Sequence, residues 1–91
     1  MGKILVVDDD AAIRMVVSEA LRRDGHDVMV AETAAEQVLA FASFKPELLI
    51  TDVVLPDADG LDLVPDILRA HPGLPVIVIS AQNTLSTAVR A

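Results

Sequence analysis

Three aspartates, Asp8-Asp9-Asp10, follow the apolar run Ile4–Val7 without a spacer, and a fourth, Asp52, closes a second apolar run at Leu48–Thr51. Ser80 closes a third, "VIVI". If the tips of these runs meet, Asp8, Asp9 and Asp52 share one small space. Carboxylates so placed need a cation or raised pKa values. A hard divalent ion suits them: Mg²⁺ prefers carboxylate oxygen and keeps positions open for phosphate oxygens. Such an ion can neutralise a transferring phosphoryl group. A carboxylate beside it can be the nucleophile and become an aspartyl phosphate. Ser80 would offer a hydroxyl to the new phosphate.

The elements around these residues alternate. Lys3–Val7 is a continuous apolar run, as for a strand covered on both faces. Asp10 is a suitable N-cap for a helix whose stripe is Ile13, Val16, Val17, Ala20 and Leu21. Arg22 and Arg23 suit its C-terminal end and Gly25 its termination. Asp27–Ala31 is a second strand. Thr33-Ala34-Ala35-Glu36 reads as a capping box, with the stripe Ala35, Val38, Leu39 and Ala42 behind it and Pro46 as the stop. Leu48–Thr51 is a third strand, followed by the loop "VVLPDADG". A third helix covers Leu61–Ala70, where Pro65 predicts an irregular first turn or a late start. Pro75–Ile79 is a fourth strand, and a fourth helix opens near Asn83 or Thr84.

The order βαβαβαβα implies an α/β fold: a doubly wound parallel sheet with right-handed crossovers and helices on both faces. The site of such a sheet lies beyond the carboxyl ends of its strands, where the winding reverses. The aspartates and Ser80 interrupt their runs at that edge.

Composition sets the outer bounds. The chain has 91 residues, one domain at most, with 53% hydrophobic and only 2% aromatic residues, so its core must be aliphatic. A net charge of −7 argues against nucleic acid or an anionic membrane as a direct partner and fits a cation or a basic protein surface. There is no cysteine, which excludes disulfides and thiolate metal sites and fits a cytoplasmic location. No apolar run approaches a membrane span, and the N-terminus reads as a strand, not a signal peptide.

"ILVVDDD…R", "LLITDVVLPDADG" and "PVIVISA", in this order and at these spacings, resemble the receiver domain of two-component response regulators. The resemblance implies a flavodoxin-like sheet of strand order 2-1-3-4. It implies Asp52 as the phosphoacceptor for a sensor histidine kinase. It makes Asp9 a direct Mg²⁺ ligand, with Asp8 acting through water and the Val54 backbone carbonyl a further ligand. Ser80 becomes the switch hydroxyl and Ala81 the small residue that admits the phosphate. "SAQNTLSTAVRA" is similar to the NtrC-like nitrogen-regulation branch, activators of sigma-54 promoters. A family member would be a signalling domain rather than an enzyme, switching an output through the face of helix four.

Family members also carry a fifth strand with a lysine and a fifth helix. Lys3 and Lys45 are the only lysines here, so by resemblance residues 1–91 form a single, incomplete receiver. Its fourth strand would then be an edge, and a long apolar edge invites pairing. The expectation is a homodimer or higher association through strand four, helix four or a swapped element. Two other functions compete. One is an interaction module with impaired chemistry. The other is a phosphatase of the haloacid dehalogenase type, whose Asp-x-Asp spacing Asp8 and Asp10 satisfy, although Ala11-Ala12-Ile13 lacks the residues expected after it. Nucleotide binding fails for want of a G-x-G-x-x-G or G-K-[ST] motif.

Overall fold

Leu5, Val7 and Leu49 pack into one apolar cluster, and Ile4, Val6, Val28 and Ile50 into another. Successive strand residues face opposite sides of a sheet, so the continuous apolar runs reflect a sheet buried on both faces. The computed structural model describes residues 2–52 and 54–79. Its elements are β1 (Lys3–Val7), α1 (Ala11–Arg23), β2 (Asp27–Ala31), α2 (Ala34–Phe44), β3 (Leu48–Asp52), β4 (Val54–Leu55), β5 (Ala58–Asp59), α3 (Gly60–Ala70) and β6 (Val76–Ile79).

Four strands form a parallel sheet in the order β2-β1-β3-β6. This is the expected 2-1-3-4 order, with β6 as the fourth strand. Helix α1 supplies Val17 and Leu21 to one face. Helices α2 and α3 supply Ala40, Phe41, Leu63 and Ile67 to the other. The winding direction reverses between β1 and β3, the two strands that end in acidic residues.

Three local expectations change. The stripe read for α2 is on the wrong side: Val38 and Leu39 are 68% and 70% exposed, and Ala35 and Ala42 are exposed too. The packed side runs through Ala34, Gln37, Ala40 and Phe41. It was hidden because Gln37, a polar residue, is buried within it, and its Oε1 has no hydrogen-bond partner among the described residues. In α1, Val17 and Leu21 pack as read, but Val16 and Ala20 are exposed. Helix α3 starts at Gly60, so Pro65 lies inside it, neither in a first turn nor after a late start. An interior proline costs about 3 kcal/mol. Leu63 and Ile67, which flank it, pack against the core. Such burial contributes up to about 3 kcal/mol per side chain when complete, enough to offset the proline.

The stretch read as a continuous loop after β3 contains a small antiparallel hairpin, with Val54 opposite Asp59 and Leu55 opposite Ala58. Leu55 is buried in the core cluster and anchors it. The expected fourth helix lies outside the described residues.

Candidate functional site

Parallel pairing of β1 with β3 sets Val7 opposite Thr51. One step further along that register brings Asp8 opposite Asp52. The carboxylates of Asp8, Asp9 and Asp52 each offer an oxygen, and these oxygens lie within 4.8 Å of one another. Asp8 is buried, Asp52 half-buried and Asp9 exposed. The expected convergence of these three residues is therefore present.

Asp10 does not join them. Its side chain accepts from the N–H groups of Ala12 (2.9 Å) and Ile13 (3.4 Å), the N-cap bonds of α1. The capping role read for Asp10 holds, and the carboxylate that an Asp-x-Asp phosphatase would need is engaged elsewhere.

Burial pushes the Asp8 carboxyl above the ordinary aspartate range, against a lowering hydrogen bond from the Asp10 N–H (2.8 Å); the charges of Asp52, Asp9 and Asp10 add to the rise. A cation among these oxygens would reverse that penalty. The donor set fits a hard divalent ion: all oxygen, anionic and open to solvent at Asp9. Two oxygens on one Mg²⁺ stand about 3–4 Å apart, so the three carboxylates need only a small closing movement. No soft or nitrogen donor belongs to the group.

Of the other residues named from sequence, Val54 opens β4 two positions beyond Asp52. Strand β6 brings Ile79 into register with Asp52, while Ser80 and Ala81 lie outside the described residues. His26 and His71 are half-buried. His26 Nδ1 accepts from the Gly2 N–H at 3.1 Å, and His71 stacks on Phe41 with ring centroids 4.4 Å apart. Both belong to the end of the sheet away from the acidic tips.

Sequence reasoning missed two supporting residues. Arg14 holds the residue that ends β1's apolar run. Its Nη1 donates to the main-chain oxygen of Asp8 at 2.7 Å, and its Nη2 lies 3.6 Å from Glu32. A signal was available: a cation in the first turn of a helix opposes the helix dipole and needs a specific partner. Asp57 holds the start of α2. Its carboxylate accepts from the N–H groups of Ala34 (2.8 Å) and Ala35 (3.1 Å) at the start of α2. No local pattern marks a cap that reaches back over 23 residues.

Comparison with known proteins agrees with this geometry. The family model described as "Response regulator receiver domain" matches residues 4–91. The chain is 51% identical over 88 residues to the DNA-binding transcriptional regulator NtrC of Rhizobium meliloti (strain 1021), and 52% identical over 88 residues to that of Azospirillum brasilense. In each case the match covers 97% of this chain and 18% of the relative, so the chain spans less than a fifth of those proteins. Among solved structures, the non-phosphorylated HemR receiver domain from Leptospira biflexa superposes with a TM-score of 0.86 at 29% identity, covering 99% of this chain and 73% of that one.

Proposed function

The chain belongs to the response regulator receiver domains, and from that premise we propose that Asp52 accepts a phosphoryl group from the phosphohistidine of a sensor kinase. The observation that carries this reading is the convergence of the Asp8, Asp9 and Asp52 oxygens at the switch point of the sheet. A carboxylate oxygen of Asp52 forms the new P–O bond as the P–N bond of the donor breaks and the imidazole leaves with the electron pair. Mg²⁺ bound by Asp8, Asp9, Asp52 and the Val54 carbonyl would supply the positive charge that offsets three carboxylates and the phosphoryl oxygens. Asp8 is held for this by the Asp10 N–H on its side chain and by Arg14 on its main chain. Ser80 would donate its hydroxyl to the phosphate, with Ala81 leaving room.

The reading makes the chain a signalling domain rather than an enzyme with turnover. The relatives' name, DNA-binding transcriptional regulator NtrC, supports a place in the NtrC-like branch; sigma-54-dependent transcription activation as the output is part of the proposal. Self-association through strand four, helix four or a swapped element is part of the proposal. Among the described residues β6 pairs only with β3, and Ile77 is 49% exposed. A cytoplasmic location is part of the proposal; no described helix is long and apolar enough to cross a membrane.

The test is intact mass after incubation with phosphoramidate and Mg²⁺. One added phosphoryl group is expected, and none after Asp52→Asn or with a chelator present. Equal labelling of Asp52→Asn would overturn the assignment.

A further inference from the structure

The start of α2 has N–H groups that no helical carbonyl can reach, and those of Ala34, Ala35 and Glu36 have side-chain partners. Thr33 takes one: its Oγ1 accepts from Glu36 at 3.1 Å, while its carbonyl accepts the first intrahelical bond, from Gln37 at 3.0 Å. The other two, on Ala34 and Ala35, go to the carboxylate of Asp57 at 2.8 and 3.1 Å. These bonds hold the Asp57 carboxyl below the ordinary aspartate range, the Ala34 N–H contributing most. Asp57 is therefore an anionic acceptor at the positive end of a helix, although it belongs to the turn between β4 and β5.

That turn needs an external hold. The hairpin has two residues per strand, and isolated two-stranded hairpins are marginal in water. Buried Leu55 pins one side. Asp57 ties the tip to α2. The same hairpin begins with Val54, two residues beyond Asp52. On its other flank, the α2 start follows Glu32, which faces Arg14, which in turn donates to the Asp8 carbonyl. Contacts thus run from the loop after β1, through the start of α2, to the loop after β3.

We propose that Asp57 is a positioning residue for the metal and phosphoryl site: by gripping the first turn of α2 it holds the β4–β5 hairpin, and with it the Val54 main chain, in place beside Asp52. The inference rests on the reading of Asp8, Asp9, Asp52 and the Val54 carbonyl as the Mg²⁺ site.

Mg²⁺ is titrated calorimetrically into the wild-type chain, Asp57→Ala, Asp57→Asn and Thr33→Ala, with a thermal melt of each. Asp57→Ala should weaken Mg²⁺ binding about tenfold, the lower end of what loss of a supporting residue does to a metal site. Asp57→Asn should recover part of it, because its single amide oxygen can still accept one of the two N–H bonds. Thr33→Ala removes the other cap of the same helix and should lower Tm while leaving Mg²⁺ affinity unchanged. Wild-type affinity in a folded Asp57→Ala chain overturns the proposal. So does an equal loss in Thr33→Ala, which would mean that destabilising α2 is enough. If the wild-type chain binds no Mg²⁺, the reading of the site itself fails and the proposal falls with it, a result distinct from the other two.

Discussion

Arg14 donates to the main-chain oxygen of Asp8 at 2.7 Å, so the first acidic tip is braced by the helix that follows it. The Arg14 side chain is 16% exposed, whereas its Glu32 partner is 58% exposed at 3.6 Å. The Asp8 bond is the stronger of the two, because exposed ion pairs contribute little. Arg14→Met should lower stability by about 1.5–3 kcal/mol, the range for a hydrogen bond to a charged group. Glu32→Gln should change it by less than about 1 kcal/mol. Urea unfolding of the two variants checks the ranking.

Asp8 carries the unfavourable side of the site. Burial pushes its carboxyl upward, so the ionised form opposes folding when no cation is present. Asp8→Asn should raise Tm in chelator. Mg²⁺ should then stabilise the wild type, by about 1.4 kcal/mol at ten times Kd, and stabilise the variant less. Melts with and without Mg²⁺ measure both effects. A variant less stable than wild type in chelator would contradict the account.

Asp57 fixes a pH dependence of opposite origin. Its carboxyl is lowered in the folded chain, so the unfolded chain takes up the proton first. The stability it adds is complete above the ordinary aspartate value of about 3.9. It is lost as pH falls through the lower, folded value. The Tm difference between wild type and Asp57→Ala should be constant near neutral pH and close below about pH 4. A gap that widens on acidification would refute the assignment.

Gln37 is 2% exposed, and its Oε1 has no partner among the described residues. An unsatisfied buried polar atom costs about 1–3 kcal/mol. Gln37→Met has similar length and no polar group to satisfy, and should stabilise by about 1 kcal/mol. Denaturant midpoints at unchanged slope check this.

The strands and the site were legible because each rests on an unbroken apolar run ending in a polar residue: Ile4–Val7 before Asp8, and Leu48–Thr51 before Asp52. A sheet buried on both faces leaves little else that such runs can be. The caps at Asp10 and Thr33 were legible because their partners lie two or three residues away. The buried face of α2 was not, since periodicity counts apolar residues and Gln37 breaks the count. Asp57 was invisible for a different reason: what it does depends on a tertiary contact with Ala34. Pro65 was misread because local propensity was weighed without the packing of Leu63 and Ile67.

Magnesium titrated into the ¹⁵N-labelled chain tests the account most directly. Saturable shifts should appear at the amides of Asp8, Asp9, Asp52 and Val54, and Asp9→Asn should abolish them. Shifts that never saturate at millimolar Mg²⁺, or that scatter over surface carboxylates such as Asp24 and Asp27, would contradict it.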